Sequence, residues 1–123
     1  MSFIYIDRVR TPMASYQNNR QGKTQERQYV SQLKPKRVVN RLDLLILRIY
    51  PRRIIYSERY TGPVAAACGR DETGLVGLVL WDKQIDEVRI GDVIRIQNGW
   101  CQMRDGELVV STGMSGKLTI IDS

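Results

Sequence analysis

The chain has 123 residues, of which 42% are hydrophobic and 26% charged, a composition typical of one globular domain with a single core. It has no histidine and only two cysteines, so the commonest general base is missing and a zinc site cannot be completed. These counts argue against a metalloenzyme and against a histidine-dependent hydrolase. We expect no catalysis, no cofactor and no small-molecule substrate.

Positive charge is concentrated in the first half of the chain. Residues 1–60 hold 13 Lys and Arg against 4 Asp and Glu, a net charge of +9, whereas residues 61–123 hold 6 against 9, a net charge of −3. This asymmetry predicts an anionic partner, with nucleic acid as the first candidate. The alternative is a solvated basic tail on a domain of little net charge.

Apolar runs in the sequence are too short for a membrane or a secretory signal. None approaches the roughly 18 residues needed to cross a bilayer. Near the start, Asp7 and Arg8 interrupt the apolar stretch that a signal peptide needs. We therefore expect a soluble, intracellular protein that is not secreted and does not contact a membrane.

Residues 1–32 predict a basic N-terminal extension. The segment Ser15–Arg27 is polar and has no aliphatic side chain, so it cannot bury enough apolar surface to order itself. Ahead of it, Phe3, Ile4 and Tyr5 form a small apolar patch. We expect this patch to dock on the domain or on a protein partner.

Residues 33–123 predict one all-β domain, because several short apolar runs are separated by turn residues and no amphipathic helix is evident. Asn98-Gly99 predicts a kink, Asp105-Gly106 predicts a tight hairpin, and the segment 82–90 is too short and acidic for a stable helix of its own. The predicted strands are Asp43–Tyr50, Pro63–Cys68, Leu75–Trp81, Val93–Gln97 and Glu107–Thr112, with a closing piece at Leu118–Ile121.

A series of short motifs follows one order along this domain. Its members are Leu33-Lys34-Pro35, Asp71-Glu72-Thr73-Gly74, Val79-Leu80-Trp81-Asp82, Gly91-Asp92 before strand four, Gly99-Trp100, Asp105-Gly106-Glu107-Leu108 and Ser111-Thr112-Gly113. In this order they resemble the oligonucleotide-binding (OB) domain of the simple single-stranded-DNA-binding proteins. That family comprises archaeal SSB and its eukaryotic counterpart, the OB-domain component of the SOSS complex (sensor of single-stranded DNA).

The resemblance implies a five-stranded OB barrel with a disordered or partner-ordered N-terminal extension. It also implies a single-stranded-DNA-binding subunit of a SOSS-like genome-maintenance complex, active in DNA repair and held by a larger scaffold protein. Such a protein would be nuclear in a eukaryote and cytoplasmic in an archaeon. Trp81 and Trp100 fall on stacking positions of the family, whereas Arg104 and Ser111 stand where eukaryotic members have further aromatics.

Around these tryptophans the sequence predicts a nucleic-acid interface. Cations and aromatics alternate in the connection after the first strand, Arg95 has the parity of an outward side chain, and Arg104 can stack in place of an aromatic. The shoulder of Lys34, Lys36 and Arg37 is assigned no specific role. The candidate residues are Trp81, Trp100, Arg52, Arg53, Tyr56, Arg59, Tyr60, Arg95 and Arg104.

Four alternatives stay open at this point. The tryptophans can be packing residues at strand ends, and the basic connection can be a solvated loop with its tyrosines packed on the barrel. The whole domain can serve as a structural or protein-interaction module of a larger complex. The bound strand can be RNA, because stacking does not detect the 2′-hydroxyl.

Overall fold

The computed structural model describes residues 26–123. Most of these residues form β-strands in which apolar and polar side chains alternate. The predicted docking patch of Phe3, Ile4 and Tyr5 lies outside these residues. Along each strand, successive side chains point to opposite faces, and one face of most strands is buried. The strands are β1 (Arg37–Ile49), β2 (Arg53–Tyr56), β3 (Thr61–Asp71), β4 (Gly74–Trp81), β5 (Val93–Arg104), β6 (Glu107–Ser111) and β7 (Lys117–Asp122).

Five of these strands close into a barrel in the order β1-β3-β4-β6-β5, with β5 pairing back onto β1. Only β4 and β6 run parallel among these pairs, with Gly77 beside Val109. β1 is longer than its predicted segment because it pairs with β5 along its first part and with β3 along its last part. β7 adds to the free side of β5. This arrangement confirms the predicted OB barrel.

The barrel interior is filled by aliphatic side chains from every barrel strand. Leu42, Leu44 and Ile46 of β1 meet Leu78 and Leu80 of β4, together with residues of β3, β5 and β6, in one buried cluster. Burial of aliphatic surface is the main stabilising contribution in such a core. The outward sides of the strands are therefore left to solvent and to ligands.

A short strand occupies part of the connection that the sequence analysis expected to be an irregular loop. β2 pairs antiparallel with β3, from Arg53 opposite Val64 to Tyr56 opposite Thr61. The turn that joins them is closed by a hydrogen bond from the Ser57 N–H to the Tyr60 carbonyl, 3.0 Å. The connection is thus a β-hairpin that extends the sheet beyond the barrel, and its strand of four residues is too short to be recognised from sequence.

A helix of five residues, α1 (Lys83–Glu87), forms in the segment that is too short and acidic for a stable helix of its own. Five residues cannot hold a helix in water by themselves, so tertiary contacts must stabilise it. Gln84 supplies them, because its side chain is fully buried and hydrogen-bonds the Trp81 N–H at the end of β4 and the Thr112 hydroxyl just after β6. No helix within residues 26–123 is long and apolar enough to span a bilayer.

The predicted kink at Asn98-Gly99 is present, and it decides which way Trp100 points. Asn98 has a φ of +54°, and the buried positions of β5 shift from Ile94 and Ile96 to Gly99 and Cys101. Strict alternation from Ile96 would place Trp100 in the core. A Cβ on Gly99 would lie 2.6 Å from the Ile96 side chain and from the Ser111 carbonyl, so only glycine fits there.

The last residues of the predicted extension contact the barrel through Asp71. Asp71 ends β3 and is 7% exposed. Its Oδ1 accepts hydrogen bonds from the Thr73 N–H (2.7 Å), the Thr73 hydroxyl (2.6 Å) and the Gly74 N–H (3.2 Å). Its Oδ2 accepts one from the Val30 N–H, 2.8 Å. One carboxylate therefore holds both the β3–β4 turn and the single turn of 3-10 helix at Val30–Gln32.

Asp71→Asn is expected to destabilise the protein most at neutral pH. Burial acts to raise the pKa of Asp71, but the hydrogen bonds from Thr73, Val30 and Gly74 hold it below its ordinary value. A lowered pKa adds stability above the unfolded-state pKa, and this stability is lost as the pH falls through the folded-state value. Asparagine has one acceptor oxygen, so it leaves a buried N–H unsatisfied at a cost of about 1–3 kcal/mol.

Urea unfolding of wild type and Asp71→Asn, at neutral pH and at several pH values below about 4, measures this effect. The difference in the free energy of unfolding between the two proteins should become smaller as the pH falls. Asp105→Asn is the control, since it makes the same replacement at an exposed residue of another hairpin turn. A gap that stays constant with pH would show that the Asp71 charge does not stabilise the fold.

Candidate nucleic-acid interface

The two tryptophans of the chain share the outer face of one sheet. On β4, the buried Leu78 and Leu80 alternate with the outward Gly77, Val79 and Trp81. On β5, Trp100 points outward after the kink and lies opposite Ser111 of β6. The parallel register of β4 and β6 places Leu78 beside Val110, so its next step puts Val79 beside Ser111.

Trp81 and Trp100 are therefore separated by β6 alone. Two inter-strand spacings amount to about 10 Å across the sheet, and Trp81 lies two residues, about 7 Å, further along β4 than Val79, which is level with Ser111 and Trp100. Trp100 is 39% exposed and Trp81 is half-buried. Ser111, which stands at a family aromatic position, leaves room between the rings rather than adding a third.

Tyr60 holds the ring of Trp81 from the side. The two rings meet edge to face, with centroids 4.8 Å apart and an interplanar angle of 83°. The Tyr60 hydroxyl donates to the Pro63 carbonyl, 2.8 Å. Burial and then the nearby Asp82 carboxylate raise the pKa of Tyr60, so the phenol stays a neutral donor. A Cβ on Gly62 would lie 2.9 Å from this hydroxyl. Tyr60 thus positions the Trp81 ring and is not itself a separate stacking surface for a base.

Gln84 is a site residue that sequence reasoning missed. Its Oε1 accepts the backbone N–H of Trp81, 3.0 Å, and its Nε2 donates to the hydroxyl of Thr112, 3.1 Å. Thr112 directly follows Ser111, the cross-strand neighbour of Trp100. One buried amide therefore ties together the two strand ends that carry the aromatic face. A lone Gln within an acidic segment gives no signal of this role in sequence.

The basic hairpin lies beside Trp81, but its cations differ in their surroundings. Arg53 pairs with Val64, and Val64 pairs with Trp81, so Arg53 and Trp81 lie on the same face on either side of the buried Val64. Arg52 instead forms an ion pair with Asp86 of α1. The remaining candidates of the hairpin, Tyr56 and Arg59, are exposed near its tip, Tyr56 with 80% of its surface accessible.

The structure does not bring Arg95 to this face. Arg95 points outward as expected, but it belongs to the first half of β5, between β1 and β7. Its Nε contacts Asp43 Oδ1 at 2.9 Å, and Arg41 contacts Asp43 Oδ2 at 2.9 Å. Burial would raise the pKa of Asp43, but the hydrogen bonds from Arg95 and then Arg41 hold it below its ordinary value. Much of the Arg95 charge is therefore balanced within the protein.

Arg104 lies at the other end of the aromatic face. It ends β5 opposite Glu107, and the two residues between them have φ values of +52° and +83°, which is the geometry of a type I′ hairpin turn. Arg104 shares the outward parity of Trp100. Within residues 26–123, no three His, Cys, Asp or Glu side chains are grouped to hold a metal ion.

Comparison with known proteins supports the same family. No protein-family model matches the sequence. The single-stranded DNA binding protein Ssb of Saccharolobus solfataricus is 28% identical to this chain over 89 residues, which are 72% of this chain. The matched part spans 60% of that relative's length.

Two solved structures show the same fold. An OB domain from Thermoplasma acidophilum matches with a TM-score of 0.67 at 20% identity, over 79% of this chain and 88% of that domain. The second OB-fold domain of replication protein A from Methanococcus maripaludis matches with a TM-score of 0.66 at 21% identity, over 80% of this chain and 97% of that domain. These structures confirm the OB fold, and the archaeal relative supports the resemblance to the simple single-stranded-DNA-binding OB-domain family.

Proposed function

We propose that this chain binds single-stranded DNA as a non-catalytic OB-fold subunit. The observation that carries the proposal is the placement of its only two tryptophans on one outer face, about 12 Å apart across β6. Stacking on such rings is worth about 1–3 kcal/mol per base and tolerates every base. The similarity to an archaeal protein named for single-stranded DNA binding supports the same assignment.

The surroundings of the tryptophans fit an unpaired strand better than a duplex. A stacking platform needs bases whose faces are open, and a duplex hides them. Arg53 lies beside Trp81, and Arg104 lies beyond Trp100 on the same strand, so cations are available for the phosphates on both sides. Aromatic rings with flanking cations are the arrangement that binds single strands without sequence preference.

Membership in a SOSS-like genome-maintenance complex is the finer form of this proposal. It rests on the ordered motif series and on the apolar patch of Phe3, Ile4 and Tyr5, which offers a contact for a larger scaffold protein. In this form the barrel contacts the strand and the extension contacts the scaffold. DNA repair would then be the process in which the protein acts.

One observation favours a structural or protein-interaction module instead. Arg52 and Arg95, two of the predicted phosphate contacts, are engaged in ion pairs with Asp86 and Asp43. If the remaining cations do not suffice, the barrel would serve assembly alone. This alternative expects a folded protein that holds its partner and binds no oligonucleotide.

Titration of the purified protein separates these functions. Tryptophan fluorescence would be followed while oligo-dT, oligo-rU or duplex DNA is added at two salt concentrations. We expect saturable quenching by oligo-dT, weaker binding at higher salt and little binding of duplex. Equal affinity for oligo-rU would assign single-stranded nucleic acid in general. Unchanged fluorescence and no binding of any oligonucleotide would favour the structural module.

Arg53→Ala should reduce the salt dependence of binding more than Arg52→Ala. On single strands, each phosphate contact contributes about 0.7 to the slope of log affinity against log salt. Arg53 lies on the aromatic face, whereas Arg52 is held by Asp86. The slope is measured with oligo-dT across a salt series. Slopes that stay equal to the wild-type slope in both variants would place the phosphates away from β2, and equally reduced slopes would show that the ion pair with Asp86 does not withhold Arg52.

A further inference from the structure

An open pocket lies at the start of β1, one strand away from Trp100. Val38 is the direct cross-strand neighbour of Trp100 and also lines this pocket, together with Leu33. The cavity measures about 280 Å³, close to the lower limit of roughly 300 Å³ for small-ligand pockets. The aromatic face therefore continues past Trp100 into a concave site on β1.

The polar side chains of this pocket present mainly hydrogen-bond donors. Gln28 Oε1 accepts the Asn40 N–H, 2.6 Å, and Gln32 Oε1 accepts the Tyr29 N–H, 2.9 Å. With these oxygens engaged, each amide presents its NH2 group to further partners. Lys34 and Arg37 line the same pocket, and both are exposed. Two cations and two amide donors together favour an anion.

Residues 1–25 are too basic to supply an anion for this pocket. Residues 1–25 contain a single acidic residue, Asp7, against four basic residues, Arg8, Arg10, Arg20 and Lys23. An anion for the pocket is therefore expected from another molecule. Guanidinium and ammonium groups beside amide donors are the groups with which proteins bind phosphate.

We propose that this pocket binds a phosphate of the nucleic-acid strand whose bases stack on Trp100. The inference rests on the proposed function and extends it, because it leads the strand off the tryptophan face and onto the start of β1. Val38, which is 49% exposed, lies between Trp100 and the pocket and offers an apolar contact for the sugar. Lys34 and Arg37 thereby gain a specific role that the sequence alone did not indicate.

The test compares short and long oligo-dT, about 4 and about 16 nucleotides, the range of site sizes for one OB fold. Arg37→Gln removes one pocket cation. Gln32→Glu keeps an acceptor for the Tyr29 N–H but replaces the amide donor by a carboxylate oxygen. Arg89→Gln, which removes an exposed cation between α1 and β5, is the matched control. Circular dichroism verifies that each variant is folded.

We expect Arg37→Gln to weaken the binding of long oligo-dT several-fold. It should also lower the slope of log affinity against log salt by about 0.7. Gln32→Glu should weaken this binding further through repulsion. Short oligo-dT, which can occupy the tryptophans alone, should bind both variants as it binds wild type. A matching series with a 5′-phosphate or a 3′-phosphate on the short oligonucleotide distinguishes a terminal phosphate from an internal phosphodiester, either of which supports the pocket.

Two results would overturn the inference while leaving the proposed function intact. One is a loss of affinity for long oligo-dT that is no greater in the pocket variants than in Arg89→Gln. The other is an equal loss for short and long oligonucleotides, which would mean that the variants act on the tryptophan face. If wild type binds neither length, the proposed function fails and the pocket assignment fails with it.

Discussion

Replacing Trp81 or Trp100 with alanine is expected to weaken oligo-dT binding by about 1–3 kcal/mol each, roughly 5- to 150-fold in Kd. Each ring provides one stacking surface on the outer face of the barrel, and alanine leaves nothing in its place. The Trp100 side chain points outward from the barrel, so its replacement should leave the free energy of unfolding nearly unchanged. Trp81 also contacts Tyr60, so its loss should cost some stability as well.

Phenylalanine variants separate stacking from folding. Trp81→Phe retains a ring and removes the Trp81 Nε1, which is buried without a hydrogen-bond partner within residues 26–123. Its stability should therefore be close to that of wild type, and its affinity should be reduced less than in Trp81→Ala. Ile90→Ala, which removes an exposed apolar side chain from the loop before β5, is the control for loss of apolar surface.

Fluorescence makes the same variants informative in a second way. The chain has only two tryptophans, so Trp81→Phe leaves Trp100 as the sole reporter, and Trp100→Phe leaves Trp81. We expect oligo-dT to quench both single-tryptophan proteins. If one of them binds with unchanged fluorescence, that tryptophan is a packing residue. If both alanine variants bind oligo-dT as wild type does, the platform itself is ruled out.

The barrel could be predicted from sequence because its signals are local. Asp105-Gly106 determines a hairpin through the φ values that its turn requires, and Asn98-Gly99 marks the kink that turns Trp100 outward. Alternation along β4 places Trp81 opposite the buried face in the same way. Each of these signals lies within a few residues, where backbone sterics and side-chain parity decide the outcome.

The rest of the site depends on contacts between distant residues. β2 is too short to be evident in sequence, and it forms because β3 offers a pairing edge. The ion pairs of Arg52 and Arg95 join positions 34 and 52 residues apart, so outward parity alone did not show that these cations are engaged. Charge counts predict an anionic partner, but only the folded chain distinguishes Arg53 from Arg52.

α1 is the clearest case of a tertiary contact overriding a local preference. By composition, the segment 82–90 is an acidic surface loop, yet Gln84 is fully buried and Val88 nearly so. The helix forms because Val88 and Ile85 pack with the core and because Gln84 accepts the Trp81 N–H. Both contacts are made with residues outside the segment, so its own sequence does not reveal them.

Gln84→Leu should therefore destabilise the protein strongly and weaken oligo-dT binding with it. Leucine fills a similar volume but leaves the Trp81 N–H and the Thr112 hydroxyl without the bonds that Gln84 gives them. The Thr112 hydroxyl keeps its bond to the Gly113 carbonyl, but the buried Trp81 N–H loses its acceptor at a cost of about 1–3 kcal/mol, a large part of the roughly 5–15 kcal/mol that stabilises a domain. Lys83→Leu, on the exposed side of α1, makes the same replacement without that loss and should unfold as wild type does.

A double-mutant cycle with Thr112→Val tests whether the amide acts through these bonds. Thr112→Val keeps the side-chain shape but removes the hydroxyl that accepts from Gln84. When both partners of the Gln84–Thr112 bond are replaced by apolar groups, only the Trp81 N–H loses its acceptor, so Gln84→Leu with Thr112→Val should lose less stability than the sum of the single variants. Urea unfolding measures the cycle, and oligo-dT titration of the folded proteins measures the coupling to the tryptophans. Strict additivity in stability, with unchanged affinity in Gln84→Leu, would show that Gln84 fills space and does not position the aromatic face.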